Sequence, residues 1–195
     1  MADVGWKILA PFYPWMRNNP VSSSFLKPER AAANSLLSLI SETHLEAVAD
    51  LGSGSGHSLG LLHERAGVRI AVDTCAEMIA FCRPRFQNII YLQADGCYLP
   101  LKADSLDLVL CIGLLEYIAD ARALFTELFR ILKTGGWLMF TNSPPGRLNS
   151  LRRLYSPRLY LRHPGEIEKL ISSKTFNLKN KSKTRLQMQY LLQKK

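Results

Sequence analysis

The stretch Val48-Ala-Asp-Leu-Gly-Ser-Gly-Ser-Gly-His57 decides the fold of this chain. It predicts a short apolar strand that leads directly into three glycines at alternate positions, Gly52, Gly54 and Gly56. Glycines at such a turn let the backbone bend sharply and approach a ligand without interference from a Cβ atom. A helix that begins behind the loop would offer free backbone N–H groups to the same ligand. The pattern therefore predicts a strand–loop–helix unit that binds a ligand at its loop.

The spacing of the glycines distinguishes this loop from the nicotinamide-dinucleotide fingerprint. That fingerprint is G-x-G-x-x-G, whereas this chain has G-x-G-x-G with Asp50 two residues before the first glycine. Asp73 ends the next predicted strand, where a carboxylate can bind both hydroxyls of a ribose. Asp95 follows the third predicted strand. Three acids at three strand ends predict a crevice for a positively charged, polyhydroxylated ligand with an exocyclic amine, and they suit a pyrophosphate poorly.

Strand-like and helix-like segments alternate along the middle of the chain. Near-continuous apolar strands that alternate with helices predict a parallel sheet covered on both faces. We expect a first helix from Pro28, and we expect the glycine pair Gly135-Gly136 to end the last core helix. Period-two alternation near the C-terminus predicts an antiparallel hairpin on one edge of the sheet. The predicted strands are 46–51, 68–73, 88–92, 106–111 and 137–141, and the other predicted helices are 58–65, 75–81 and 120–132.

The composition is that of a globular domain of ordinary size. The chain has 195 residues, of which 47% are hydrophobic and 21% charged, and no apolar run is long enough to cross a bilayer. The N-terminal residues lack a basic stretch followed by a long apolar one, so we expect no secretory leader. Its four cysteines form no C-x-x-C pair, so we expect no metal site, no disulfide framework and a cytoplasmic location. Residues 147–195 carry a net charge of +11 and residues 1–146 carry −2. An anionic partner for the basic part and a merely solvated basic surface both remain open.

Five segments, in the same order, resemble those of the class I S-adenosylmethionine-dependent methyltransferases of the small-molecule type. The resemblance covers about half of the chain, from Val48 to Pro145. It implies an α/β fold, a Rossmann-like, doubly wound, mostly parallel seven-stranded sheet with a C-terminal antiparallel hairpin, and S-adenosyl-L-methionine as the cofactor. The segments are Asp50–Gly56, Ala71–Met78, Gln93–Pro100, Asp104–Cys111 and Leu128–Gly136, the last with Thr134 where the family has proline.

The same resemblance implies which residues contact the cofactor. The glycine loop would pass its methionine part, the residues after the second strand would hold its ribose and flank its adenine, and those after the third would bind the adenine amine. These positions are Asp50, Gly52, Ser53, Gly54, Gly56, Asp73, Thr74, Met78, Asp95, Gly96 and, through its backbone, Cys111. No catalytic residue is assigned. The candidates for a general base are Tyr13, His57, Glu116, Tyr117 and His163, and Glu116 stands where many relatives carry His or Asn.

The resemblance also predicts how one methyltransferase domain, 1–195, is organised. Residues 1–45 would form an N-terminal lid or helical segment, 46–145 the cofactor-binding core, 146–172 a basic substrate-side insertion and 173–195 the terminal β-hairpin. Both flanking segments combine aromatic and basic residues, which suit a membrane surface, a lipid headgroup or an apolar pocket under a lid. In the insertion Leu151, Leu154 and Tyr155 share one helical face, and Arg152 and Arg153 lie off it.

The leading hypothesis is methylation of a small-molecule or lipid-like acceptor, with an anionic membrane surface as a partner and peripheral association at the inner membrane. A second hypothesis is an RNA or ribosomal-protein methyltransferase that uses the basic C-terminal region. A third is a scaffold that binds the cofactor without turnover. Methylation of DNA bases is disfavoured because Cys111-Ile-Gly-Leu follows the fourth strand in place of an Asn/Asp-Pro-Pro-aromatic motif.

Overall fold

The computed structural model describes residues 12, 19–42, 44–61, 66–154, 158–171 and 175–195, and within them one seven-stranded sheet. The strands are β1 (Leu45–Leu51), β2 (Ala66–Asp73), β3 (Ile90–Gln93), β4 (Leu106–Cys111), β5 (Leu132–Asn142), β6 (Phe176–Lys183) and β7 (Met188–Lys194). Their order is β3-β2-β1-β4-β5-β7-β6, with β1 to β5 parallel and β7 antiparallel to both of its neighbours. The predicted α/β fold with its C-terminal antiparallel hairpin is confirmed.

Helices cover both faces of the sheet, as a doubly wound architecture requires. On one face α1 packs through Ala33 and Leu36 against Val48 of β1 and Leu110 of β4. On the other face α3 and α5 pack against the opposite side chains of the same strands. The helices are α1 (Pro20–Leu37), α2 (Ala76–Cys82), α3 (Ala121–Ile131), α4 (Arg147–Leu151) and α5 (Pro164–Ile171), and 3₁₀ turns span Leu59–Leu61, Arg83–Arg85, Leu115–Tyr117 and Arg152–Leu154.

The topology determines where a ligand can bind. The chain builds outward from β1 through β2 to β3, then returns to place β4 on the opposite side of β1. In open parallel sheets a crevice forms at such a reversal, beyond the carboxyl ends of the strands. The loops after β1 and β4 border this crevice, so the glycine loop at Gly52–Gly56 lies at the predicted ligand site.

The first helix in the described part of the chain, α1, begins at Pro20, so the predicted start at Pro28 is wrong. Asn19 caps the helix, because its side-chain oxygen accepts a hydrogen bond from the Ser22 backbone N–H at 2.9 Å. Proline is well suited to the first helical position, where its missing N–H costs nothing. Pro28 instead lies inside the helix. The Asn-Pro pair at 19–20 was the start signal that periodicity alone did not reveal.

The prediction that Gly135 and Gly136 end the third helix is wrong, because both glycines lie within β5. The helix ends at Ile131, and Leu132 adopts an extended conformation while its N–H still bonds to the Leu128 carbonyl. Leu132 is fully buried and pairs with Leu106 of β4, with a register shift before the next pair. Tertiary pairing therefore overrides the local helix-stop signal.

Other predicted elements differ less from the structure. The predicted helix 58–65 contains only the 3₁₀ turn at Leu59–Leu61, and residues 62–65 lie outside the described part of the chain. The N-terminal aromatic segment also lies outside it, apart from the exposed Phe12. No helix in the described ranges has both the length and the apolar character needed to cross a membrane.

Candidate functional site

A cavity of about 930 Å³ opens beyond the carboxyl ends of β1, β2, β3 and β4. One set of its lining residues comes from the loops after these strands. A second set comes from α1, from the segment 148–160 and from the turn between β6 and β7. Of the eleven predicted cofactor-binding residues, the cavity brings together eight: Gly52, Ser53, Gly54, Asp73, Thr74, Met78, Asp95 and Gly96.

The glycine loop is held against the end of β2 by backbone hydrogen bonds. The N–H groups of Gly52 and Ser53 both donate to the Val72 carbonyl, at 2.8 and 3.0 Å. Gly52 has a φ of +68°, and a Cβ atom there would lie 2.9 Å from the side chain of Leu114. A larger residue would therefore be strained and would collide with the loop that follows β4.

Asp73 joins the glycine loop to the start of α2. Its Oδ2 accepts a hydrogen bond from the Gly54 N–H at 2.8 Å, and its Oδ1 accepts one from the Cys75 N–H at 2.9 Å. Burial raises the pKa of the Asp73 carboxyl above its ordinary value, and the backbone donors partly oppose this. Each carboxylate oxygen has a second lone pair, so Asp73 can still accept hydrogen bonds from a ligand in the cavity.

Asp50 lies beneath the loop rather than in the cavity wall. It is fully buried, its Oδ2 accepts a hydrogen bond from the Ser58 hydroxyl at 2.6 Å, and its Oδ1 has no hydrogen-bond partner. Burial raises the pKa of Asp50 to about 7, the Ser58 hydroxyl opposes that shift, and the nearby Asp73 charge adds to it. The buried Ser53 hydroxyl also lacks a partner and does line the cavity.

This environment predicts an unusual pH dependence of stability. Between its unfolded pKa near 3.8 and its folded pKa of about 7, Asp50 binds a proton more tightly in the folded chain. Stability therefore falls as pH rises through this window. Asp50→Asn removes the titration, so from pH 5 to pH 8 the ligand-free parent should lose about 2 kcal/mol relative to the variant. Urea unfolding at both pH values measures this, and a constant difference would contradict the prediction.

The remaining predicted cofactor positions divide into two groups. Thr74 and Asp95 are exposed in the cavity wall, and Met78 is buried beside them. The Oδ1 of Asp95 accepts a hydrogen bond from the Cys97 N–H at 2.9 Å. Gly56 and Cys111 are buried and do not line the cavity: a Cβ at Gly56 would lie 2.4 Å from the Phe86 ring, and Cys111 ends β4 just before the lining residues.

Among the proposed bases, Glu116 belongs to a buried polar cluster at the cavity wall. Its Oε1 accepts hydrogen bonds from Arg152 at 2.9 Å and from the Ser143 hydroxyl at 3.1 Å, while its buried Oε2 has no partner. Arg152 also donates to Ser143 at 2.9 Å. Burial disfavours the charge on Arg152, but the Glu116 carboxylate outweighs it and raises the pKa of the guanidinium. His57 and Tyr117 also line the cavity.

The other two candidate bases are not in the cavity wall that the structure describes. Tyr13 lies outside the described residues, and His163 is exposed in the turn before α5 and does not line the cavity. His57 is close to Ser55, with 2.7 Å between its Nδ1 and the hydroxyl oxygen.

A buried arginine, Arg162, connects the basic insertion that begins at residue 146 to the loop after β4. Arg162 donates to the carbonyls of Leu115 at 2.7 Å and of Ala119 at 3.0 Å, and also to that of Ile118. In return the Asn142 side chain donates to the Arg162 carbonyl at 2.9 Å. Arg152 and Arg162 therefore fix segment 146–162 against the wall of the cavity.

The sequence predicted an N-terminal lid and a substrate-side insertion, but it identified neither the residues of these segments that line the cavity nor the contribution of the terminal hairpin. From α1 the cavity is lined by Phe25, Leu26 and Ala33, among others, and beyond the insertion by Leu186 and Gln189. The Gln189 side chain donates to the Glu29 carbonyl at 2.9 Å, which ties α1 to the terminal hairpin. This contact spans 160 residues of sequence. The apolar spacing of α1 was visible, but no local signal indicates that this helix lies over the crevice.

Comparison with known proteins agrees with this geometry. Residues 49–140 match the model of the methyltransferase domain family. The malonyl-[acyl-carrier protein] O-methyltransferase of Marinomonas sp. is 31% identical over 137 residues, which cover 68% of this chain and 51% of that protein. The chain spans about half the length of the first curated relatives it matches.

Solved structures share the fold over nearly the whole chain. A Haloferax volcanii methyltransferase in complex with the Trm112 activator has a TM-score of 0.79 at 17% identity, over 100% of this chain and 99% of that one. Magnesium protoporphyrin IX methyltransferase from Synechocystis, with bound S-adenosylhomocysteine, has a TM-score of 0.75 at 17% identity and covers 97% of each chain. The family match, the curated relatives and the ordered motifs on this sheet place the chain in one family: it belongs to the class I S-adenosylmethionine-dependent methyltransferases.

Proposed function

We propose that this chain transfers the methyl group of S-adenosylmethionine to a small-molecule or lipid-like acceptor. The observation that carries the proposal is that one cavity joins the glycine loop and the strand-end acids to an apolar, arginine-containing wall. Its volume of about 930 Å³ is near the upper end of the range for ligand pockets, roughly 300–1,000 Å³. That volume supports two ligands side by side, a donor and an acceptor.

The residues present fit the cofactor. The positive φ of Gly52 and Gly54 and the absence of a Cβ leave a backbone cradle beside Leu114. The unpartnered Ser53 hydroxyl offers a polar contact at this cradle. Asp73 would bind the ribose hydroxyls and Asp95, with the Gly96 N–H, would bind the adenine amine, with Thr74 and Met78 at its faces. Asp50, Gly56 and Cys111 would support this site from behind, since none of them lines the cavity.

When bound, the cofactor supplies an electrophilic methyl group on a sulfonium. The protein's task is to hold the acceptor atom in line with that methyl group and to exclude water, and such orientation can contribute roughly 7–11 kcal/mol. The loop after β4 is well situated for this, because Leu114 contacts the glycine loop and Glu116 lies two residues beyond it. The unpartnered Oε2 of Glu116 can accept a hydrogen bond from a protonated acceptor atom.

The acceptor side of the cavity favours a ligand with an apolar body and an anionic group. Phe25, Leu26 and Leu186 supply apolar surface, and the exposed Arg158 supplies positive charge. The names of two similar proteins are consistent with this class: one acts on a malonyl group carried by a protein, and the other on magnesium protoporphyrin IX.

The distribution of charge argues for this class over RNA. The basic residues of the +11 region lie on several different elements. Arg152 and Arg158 line the cavity, whereas Lys181 pairs with Glu168 and Lys179 lies over the Trp137 ring. These lysines belong to the edge strand β6 and do not line the cavity.

Calorimetry with S-adenosylhomocysteine tests the donor half of the proposal. We expect saturable binding with a Kd on the order of micromolar. Gly52→Ala should weaken it about tenfold, because the new Cβ would lie 2.9 Å from Leu114 and φ is +68°. Gly165→Ala is the matched control, since a Cβ there meets nothing within 4 Å. Absence of binding in the parent protein, or equal affinities in the two variants, would contradict the proposed site.

Transfer of labelled methyl from S-adenosylmethionine tests the acceptor half. The purified protein is incubated with small-molecule, lipid, RNA and protein fractions of a cell extract. Label in the small-molecule or lipid fraction supports the proposal, and label only in RNA or protein contradicts the acceptor class. Cofactor binding without transfer to any fraction would identify a scaffold and contradict the proposed turnover.

A further inference from the structure

Among the described residues, α4 and the 3₁₀ turn at Arg152–Leu154 carry an exposed apolar stripe on their outer side. Leu148, Leu151 and Leu154 follow one another at intervals of three residues along α4 and the 3₁₀ turn. Leu151 is 58% exposed and Leu154 is 84% exposed, and Leu148 and Tyr160 are exposed as well. Single exposed leucines are common on protein surfaces, but a row of three beside an exposed tyrosine forms a patch, and such patches mark interaction sites.

The segment has the reverse of the usual orientation of an amphipathic helix. Arg152 is turned inward to Glu116, and its side chain is only 18% exposed. Arg162 is buried among backbone carbonyls. The half-buried Arg152 and the buried Arg162 thus attach the segment to the protein, and the leucines are left on the outside. The described core therefore does not account for these exposed leucines.

Positive charge surrounds the stripe. Residues 146–162 contain five arginines and no acidic residue. Three of these arginines, Arg147, Arg153 and Arg158, are exposed. We define the mouth patch as these three arginines together with the exposed leucines and tyrosine: Arg147, Leu148, Leu151, Arg153, Leu154, Arg158 and Tyr160.

The mouth patch is continuous with the cavity. Leu148, Arg158 and Tyr160 line the cavity wall and are also exposed at the surface. An acceptor that enters at this point would therefore pass between the leucines and the arginines. The geometry connects whatever binds the patch to the acceptor side of the cavity.

We propose that the mouth patch docks on an anionic lipid bilayer, so that a lipid-borne acceptor enters the cavity from the membrane. The docking step is independent of catalysis, whereas the entry of an acceptor rests on the proposed function. Leucines that protrude from a short helix can enter the acyl boundary, and flanking arginines bind headgroup phosphates. The charge of the segment is complementary to an anionic surface, and its leucines form a protruding stripe, which favours a fluid bilayer over a protein partner.

Co-sedimentation with vesicles tests the docking directly. We expect the parent protein to bind vesicles of phosphatidylcholine mixed with phosphatidylglycerol at low salt, and to bind phosphatidylcholine alone far more weakly. The double variant Leu151→Ser/Leu154→Ser should bind the anionic vesicles roughly tenfold more weakly. Leu178→Ser is the matched control, because Leu178 is exposed on the edge strand β6, outside the patch.

The charges are tested by a second pair of variants with equal change in net charge. Arg147→Gln/Arg153→Gln should weaken vesicle binding and reduce its salt dependence, and Lys179→Gln/Lys183→Gln on β6 should not. Failure of the parent to sediment with anionic vesicles at low salt would overturn the proposal. So would equal binding by the leucine variant and the Leu178 control, or binding to an acidic carrier protein in place of the vesicles.

Failure of membrane docking can be distinguished from failure of the proposed methyltransferase function. All of the surface variants should keep the parent's affinity for S-adenosylhomocysteine, because none changes a residue of the glycine loop or the strand-end acids. Vesicle binding that persists while S-adenosylhomocysteine binding is absent supports docking and contradicts the donor site. Binding of S-adenosylhomocysteine without vesicle binding supports the donor site and contradicts docking.

Discussion

Replacing Asp73 by alanine should weaken the binding of S-adenosylhomocysteine by about 100-fold or more. The carboxylate has two tasks that alanine cannot perform. It fixes the glycine loop through the Gly54 N–H and the start of α2 through the Cys75 N–H, at 2.8 and 2.9 Å. It also offers its remaining lone pairs to the ribose hydroxyls. Hydrogen bonds to a charged group contribute about 1.5–3 kcal/mol each, so the loss of two or more gives an effect of this size.

A conservative variant of Asp73 and a control for charge complete this test. Asp73→Asn keeps one acceptor oxygen and the shape of the side chain, so its affinity should lie between those of the parent and the alanine variant. Glu168→Gln is the control for charge, because Glu168 pairs with Lys181 on the surface and lies outside the cavity. Calorimetry measures all three. An alanine variant whose Kd stays within about threefold of the parent's would remove Asp73 from the cofactor site.

The glycine loop and the strand-end acids could be predicted because their signals are local. A run such as Val48–Leu51 followed by alternating glycines leaves the backbone few choices, and Asp73 and Asp95 lie at positions that strand ends alone determine. The parallel sheet followed from apolar strands alternating with helices. The terminal hairpin followed from period-two alternation, and its pairing as β6 and β7 is confirmed.

The wrong start of α1 came from an unused local signal at Asn19-Pro20, whereas other differences came from places where distant contacts override a local signal. Gly135 and Gly136 carry a helix-stop pattern, but the buried Leu132 pairs with Leu106 and commits the chain to a strand before it reaches them. Arg152 would be expected to face solvent on an amphipathic helix, and it faces inward because Glu116, 36 residues earlier, provides its partner. No spacing rule within the segment contains that information.

The ion pair between Arg152 and Glu116 should contribute strongly to the stability of the fold. Arg152→Ala should lower the free energy of unfolding by about 3–5 kcal/mol, because it leaves the Glu116 carboxylate buried without its cation. Glu116 is 1% exposed, one of its oxygens already lacks a partner, and the Ser143 hydroxyl alone would remain on the other. Arg153→Ala is the matched control: this neighbour is exposed, so the same truncation should cost less than about 0.5 kcal/mol.

A double variant decides whether the cost belongs to the pair or to the arginine's packing. Glu116→Gln removes the buried charge, so Arg152→Met added to it should cost much less than Arg152→Met alone, and urea unfolding of the four proteins gives the coupling. Equal losses for Arg152→Ala and Arg153→Ala would contradict the inward orientation of Arg152. This ion pair attaches the outward-facing leucines to the cavity wall, so Arg152→Ala should also weaken binding to anionic vesicles. Glu116→Gln keeps a hydrogen-bond acceptor for Arg152 and should therefore preserve more of the vesicle binding.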